Sequence, residues 1–438
     1  KMIANVFFGS KEESRSELRD IENPYSKKVV AQYPLCTAQD TIKALKIAQK
    51  ASVDTKASTI AQRVSWLEDV VLKLKENKED IAQTLCDEVA KPITFARIEV
   101  DRCIETIKLS IHAMMNLEGH TINTDAMPSG KKTTAYYFRE PVGVVACITP
   151  FNFPLNLVAH KIAPALVSGN AVVLKPTPEA PLTAYKFAKL FIESEYAIKD
   201  AFSVVYGDVE VGSTLVSSDI PRVLSFTGSV PVGNIITKTA GIKKKKLALE
   251  LGGNAATFID RTANLAIAAN RCAFGAFINS GQVCISLQRV YVDEVVYDEF
   301  AAQMKIETEK LIVGSPYNKD TFVGPLINDE SLDRAISWIK SAIEEGAVCL
   351  TGNKNEELNF YPTVMTQVTD DMKIICEEVF APIVSLVKVK SYDEAIVKMN
   401  NSPYGLQFSI FTNNLKQTQS FIHDANCGGI VINDIPTD

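Results

Sequence analysis

The chain has 438 residues, 46% of them hydrophobic and 22% charged, with a formal net charge of −6. That length exceeds one ordinary core and predicts two large domains, and the acidic balance speaks against nucleic acid or an anionic membrane as a partner. Nine cysteines without C-x-x-C spacing and four scattered histidines argue against a disulfide framework and against a metal centre.

No metal is therefore expected, and the compartment is expected to be reducing and cytoplasmic. No apolar run approaches the roughly 20 residues that span a bilayer, and the first residues lack the apolar core of a signal peptide.

Residues 1 to about 35 alternate short extended pieces with turn signals and are read as strands. From about 38 to 118 the pattern is helical, with Trp66, Val70, Val71 and Leu74 on one face. Residues 121–140 turn polar and β-like, as an arm or a surface hairpin would. From Val142 strands and helices alternate: strand 142–148, helix 156–167, strand 171–174, helix 181–194, strand 201–205, helix 208–217, strand 223–226 and a helix from about 231. Such a series predicts a parallel doubly wound sheet with a nucleotide site at the carboxyl ends of its strands. The lysine run Lys243–Lys246 reads as a solvated connection. A second α/β series follows Glu250, with strands near 289–292, 347–350 and 383–388 and helices near 265–277, 295–311, 329–345 and 392–400.

Several residues in this pattern can carry chemistry. Cys284 follows a short Gly-containing loop, where a thiolate can attack carbonyl carbon; a lone Cys among apolar residues is more often a small buried hydrophobe. Glu250 ends an apolar strand before Gly252 and Gly253, and in apolar surroundings such a carboxylate suits a general base. Asn152 ends the first strand of the sheet and can offer an amide to an oxyanion, or simply form a turn between two prolines. Lys175 ends the next strand, within reach of ribose hydroxyls or a phosphate. Gly228, Ser229 and Gly233 at a strand-to-helix turn are a weak phosphate signal, being neither a P-loop nor G-x-G-x-x-G.

Eight segments in order, Glu140-Pro-Val-Gly-Val144, Pro150-Phe-Asn-Phe-Pro154, Val173-Leu-Lys-Pro176, Phe226-Thr-Gly-Ser229, Leu249-Glu-Leu-Gly-Gly253, Gly281-Gln-Val-Cys284, Glu377-Glu-Val-Phe380 and Tyr404-Gly-Leu406, resemble the aldehyde dehydrogenase superfamily. The resemblance implies an α/β fold with a Rossmann-like parallel-sheet cofactor domain (1–120 and 141–250), a second α/β catalytic domain (251–432) and a small β oligomerisation arm (121–140, with 433–438 leading into a tail that this sequence lacks). It implies a homodimer or homotetramer. It implies that Cys284 forms a thiohemiacetal and then a thioester, with Asn152 holding the oxyanion and Glu250 activating water. Cofactor contacts would come from Thr149, Pro150, Phe151, Lys175, Glu179, Gly228, Ser229, Gly233, Leu251, Glu378 and Phe380.

Pro178 stands where NAD-selective relatives often carry Glu, with Glu179 one place later, which leaves the cofactor open between NAD and NADP. Asn254 and Ala381 replace a common Lys and Gly, with little consequence expected. Phe153–Lys161 and Cys284–Arg289 look most like the lactaldehyde branch, so lactaldehyde to lactate is the expected reaction and succinate semialdehyde the alternative substrate. Ser286 and Gln288 are polar neighbours of Cys284 that either touch substrate or face the core. A cysteine acyl-hydrolase without the redox step is the remote alternative, and it would not need Lys175, Ser229 and Glu378 together.

Overall fold

A computed structural model describes residues 2–436; Lys1, Thr437 and Asp438, the outermost residues of the expected cofactor domain and tail, lie outside them. The chain forms two compact units, with the main break between Glu250 and Leu251. Short excursions, Asn23–Lys28 and Val89–Ala96, go with the second unit, and nothing in the strand–helix pattern signals them.

The first unit carries a seven-stranded sheet in the order Lys246–Glu250, Val223–Thr227, Val144–Ile148, Ala171–Lys175, Phe202–Val204, Val6–Phe8, Lys11–Glu13. The first five strands pair in parallel, and an antiparallel hairpin closes one edge. The strands Val144–Ile148 and Ala171–Lys175 are almost wholly buried apolar runs, as a sheet covered on both faces demands. Counted along the chain, the five parallel strands lie in the spatial order 5-4-1-2-3. The winding therefore reverses between Val144–Ile148 and Val223–Thr227, which is where an open α/β sheet has a crevice at its carboxyl edge.

Four helices, Ala38–Ala57, Ile60–Glu76, Lys78–Val89 and Ile93–Met115, fill the long helical stretch. Capping boxes start the first two: Thr37 with Asp40, and Thr59 with Gln62. Two helices of the sheet layer, Asn156–Val167 and Pro181–Ile192, lack a side-chain cap of their own. Carboxylates from distant helices supply it. Glu99 accepts from the N–H groups of Leu155 and Asn156 at 2.9 and 3.1 Å, and Glu88 from those of Leu182 and Thr183 at 2.6 and 2.7 Å. The charge sits at the positive end of each helix and satisfies N–H groups that would otherwise be orphaned.

Residues His120–Ile122 and Ala135–Tyr137 form a separate two-stranded antiparallel sheet, with Ile122, Met127, Tyr136 and Phe138 exposed. The lysine run is less uniformly solvated than expected. Lys243 pairs with Asp219 at 2.8 Å, while Lys245 turns inward onto the Ser218 carbonyl and burial pushes its amine down to about 8.

In the second unit a seven-stranded sheet runs in the order Val348–Thr351, Thr363–Thr366, Ile383–Val389, Leu287–Asp293, Ala255–Ile259, Gln407–Phe411, Gly429–Ile432, parallel except at its first strand. The strands Ala255–Ile259, Thr363–Thr366, Gln407–Phe411 and Gly429–Ile432 and the helix Leu415–Asp424 have no counterpart in the sequence reading. Among the described residues no helix is long and apolar enough to cross a membrane.

Candidate active site

Four loops of the second unit lead into the amino ends of four adjacent parallel strands. Leu251–Asn254 precedes Ala255–Ile259, the Cys284 loop precedes Leu287–Asp293, Glu378–Pro382 precedes Ile383–Val389, and Tyr404–Leu406 precedes Gln407–Phe411. Segments up to about 150 residues apart in sequence are thereby gathered at one sheet edge.

The Cys284 loop has an unusual backbone. Asn279, Ser280 and Gly281 take φ of 51°, 58° and 68° in succession, and left-handed backbone costs free energy for the two non-glycine residues. Hydrogen bonds hold it there. The Ser280 hydroxyl donates to the Gly324 carbonyl at 2.7 Å, and the Gln282 side-chain oxygen Oε1 accepts from the Ile327 N–H at 3.0 Å. A Cβ at Gly281 would strike the Ala381 backbone, so the loop lies directly on the segment that carries Glu378 and Phe380. Phe380 is itself left-handed, at φ 50°.

The two motif glycines have separate tasks. A Cβ at Gly253 would collide with the Cys284 carbonyl, and one at Gly252 with the Glu378 carboxylate. Gly253 also donates its N–H to Glu378 Oε1 at 3.0 Å. Burial pushes the half-buried Glu378 up to about 7, opposed by that N–H. Gln288, one residue into its strand, is buried and donates to the Ile374 and Glu377 carbonyls at 3.0 and 2.5 Å while accepting from the Val379 N–H at 3.1 Å. Asn254 adds a bond to the Ile375 carbonyl at 2.7 Å. The side chains of Gln288 and Asn254 thus fix the backbone on either side of Glu378.

In the first unit, Ile148, Lys175 and Phe226 stand in register on adjacent strands at the carboxyl edge. They open onto a cavity of about 510 Å³ whose other walls are the helices Val209–Ser217 and Val230–Ile242. Val209, Val232 and Ile235 present exposed apolar surface to it. Lys175 is 8% exposed, and burial pulls its amine down. Among the described residues its ammonium makes one long hydrogen bond, 3.5 Å, to the Pro176 carbonyl. A Cβ at Gly212 would rest on the Lys175 stem at 3.9 Å.

Asn152 is buried, and its side-chain oxygen accepts from the Phe153 N–H at 3.1 Å, which orients the amide. Behind it Glu99 caps the following helix, so the turn from Thr149 to Pro154 is held from both ends.

The family model for the aldehyde dehydrogenase family matches residues 11–438. This chain belongs to the aldehyde dehydrogenase family. It is 38% identical over 423 residues to a 3-sulfolactaldehyde dehydrogenase of Priestia aryabhattai, covering 96% of this chain and 88% of the relative. To a lactaldehyde dehydrogenase of Methanocaldococcus jannaschii it is 37% identical over 437 residues, with 98% and 91% covered. Among solved structures it resembles a glyceraldehyde-3-phosphate dehydrogenase of the same archaeon complexed with NADP, at 36% identity and TM-score 0.92, covering 97% of this chain and 92% of that one. The protein is an NAD(P)-dependent aldehyde oxidoreductase.

For this aldehyde dehydrogenase the first-unit cavity fits the adenosine end of a nicotinamide dinucleotide. Its walls are apolar, and a lysine stands at its polar end. The Thr149 hydroxyl is buried with no hydrogen-bond partner among the described residues, and Ser229 occupies an N-cap without using its side chain to cap. Lys175 lines the cavity, and Glu179 acts on it electrostatically while accepting from the Thr177 hydroxyl. Thr149, Pro150, Phe151, Gly228 and Ser229 lie in the turns at this sheet edge, and Gly233 is buried in the first turn of its helix rather than opening it.

Glu250 differs from expectation in one respect. It is exposed at the end of Lys246–Glu250, so apolar surroundings do not act on it. The polar neighbours Ser286 and Gln288 face inward: Ser286 donates to the Ala276 carbonyl at 3.2 Å, and Gln288 clamps the Glu378 segment.

Lys161 went unnoticed in the sequence. It is buried in the helix Asn156–Val167, donates to the Thr227 hydroxyl at 2.7 Å and feels Glu250 electrostatically, while burial pulls its amine down. A single cation inside an apolar helical run was the available signal.

The close approach at Gly253 yields a direct expectation. Gly253→Ala should lower kcat about a hundredfold, because the added methyl must displace the Cys284 backbone by an ångström-scale shift. Steady-state rates measured beside a thermal unfolding curve check it, and a native kcat in a folded variant would contradict it.

Proposed function

We propose that the protein oxidises a small 2-hydroxylated aldehyde, lactaldehyde, to its carboxylate. The reaction class is supported by the convergence of Cys284, Gly253 and Glu378 at one sheet edge of an aldehyde dehydrogenase. The substrate rests on the relatives named above, which act on lactaldehyde and its sulfonated analogue.

The Cys284 thiolate attacks the aldehyde carbon, and the side-chain amide of Asn152 together with the Cys284 N–H receives the charge that develops on oxygen. A bound nicotinamide would supply the hydride acceptor for this carbon, and Cys284 would be left carrying a thioester. Glu250 takes a proton from the water that hydrolyses it, releasing the acid and the thiolate. Lys175 and Thr149 would hold the adenosine half of the cofactor, Ser229 with Gly228 and Gly233 the pyrophosphate, and Glu378 and Phe380 the nicotinamide half. Both NAD and NADP are taken as substrates. Nine free cysteines support a reducing, cytoplasmic setting. The exposed apolar ribbon at 120–137 supports a homodimer or homotetramer; a monomer in sedimentation velocity would contradict it.

Reduced-nicotinamide formation tests the substrate. Lactaldehyde should show a kcat/KM at least about tenfold above that of succinate semialdehyde, the scale of discrimination that a few side chains provide. The reverse ratio would move the assignment to the dicarboxylic aldehyde.

A further inference from the structure

Charged side chains of both signs meet at the polar end of the first-unit cavity. Lys175 lies in the field of two carboxylates, Glu179 and Asp208. Glu179 is occupied by the Thr177 hydroxyl.

Asp208 lines the cavity and stands at the N-cap of Val209–Ser217, where an Asp ordinarily accepts from the first-turn N–H groups. It makes no such bond. Its Oδ2 instead accepts from Arg19 Nη1 at 2.8 Å, and Arg19 also bonds the Tyr33 hydroxyl. Arg19 arrives from a separate three-stranded sheet, on the strand Leu18–Glu22. The Arg19 and Asp208 side chains are 47% and 49% exposed, so solvent and a ligand at the cavity mouth can reach the pair.

We propose that Arg19 and Asp208 decide which dinucleotide this cavity accepts: Arg19 is the cation for a 2′-phosphate, and Asp208 is the counter-charge that holds it back. This rests on the reading that the cavity takes the adenosine end of the cofactor. Two cations, Lys175 and Arg19, face two carboxylates, Glu179 and Asp208, so the rim is balanced for a neutral 2′-hydroxyl. A 2′-phosphate brings between one and two negative charges and must take Arg19 from Asp208. A guanidinium matches phosphate geometry in a bidentate fashion, so NADP is accepted, but NAD is preferred in the native protein.

Calorimetric binding of 5′-AMP and of adenosine 2′,5′-bisphosphate to the intact protein provides the test, with the kcat/KM ratio for NADP over NAD as a second readout. In Arg19→Gln the affinity of the bisphosphate relative to 5′-AMP should fall about tenfold, and in Asp208→Asn it should rise about tenfold. The NADP/NAD ratio should move in the same two directions. Opposite shifts in the two variants cannot come from general unfolding. Equal changes for both nucleotides, or none, with native 5′-AMP binding retained in the parent protein, would overturn the proposal alone. Failure of the parent protein to bind either nucleotide would overturn the assignment of the cavity and the proposal with it.

Discussion

Cys284→Ser is expected to lose aldehyde oxidation by about three orders of magnitude or more. The substitution keeps the size of the side chain, so the loop should hold. Its left-handed backbone at Asn279 and Ser280, the contact of the Cys284 carbonyl with Gly253 and the Ser280 bond to Gly324 do not involve the sulfur. What changes is the nucleophile. A thiolate is accessible near neutral pH, whereas an alkoxide is not. The same variant would remove ester hydrolysis, so it tests the cysteine chemistry in either form. Steady-state reduced-nicotinamide formation in a variant with a native unfolding midpoint is the measurement. Turnover at the native rate would place the chemistry elsewhere.

Glu250→Gln is expected to slow steady turnover about a hundredfold while leaving the first redox event fast. The side chain ends the strand Lys246–Glu250, beside Thr227 in the neighbouring strand, and its backbone carbonyl accepts from the Gly228 N–H at 3.1 Å. The carboxylate is exposed, so it has room for a water, and the buried Lys161 ammonium supplies a compensating positive field. An amide of the same shape cannot take the proton of the attacking water. The variant should therefore produce a burst of reduced nicotinamide close to one equivalent per site, followed by slow release. Equal slowing of burst and steady state would assign Glu250 to the first step instead.

Much of this was legible in the chain because function here lives in short local motifs. Val144–Ile148 and Ala171–Lys175 are continuous apolar runs bounded by turn residues, and helices such as Leu265–Phe277 keep their period. The parallel strands of the first unit could therefore be read off along the chain. The second sheet was only half visible. Ala255–Ile259 and Gln407–Phe411 are five-residue buried stretches, too short for periodicity to distinguish from helix or loop.

Side-chain destinations were the least legible. Gln288 reads as a polar neighbour of Cys284, yet strand alternation turns it inward, where it spends all its hydrogen bonds on the Glu378 segment. Glu250 reads as a residue in apolar company because its strand is apolar, yet it sits where that strand meets solvent. Arg19 lies 189 residues from Asp208, and no local pattern announces that they meet.

The proposed mechanism requires that Cys284 become acylated and that Glu250 clear the acyl group. Glu250→Gln mixed with lactaldehyde and NAD, quenched in acid within the burst and mapped by peptide mass, tests it directly. A lactoyl thioester is expected on the peptide that contains Cys284. An unlabelled Cys284 peptide after a full burst, or the label on another cysteine, would contradict it.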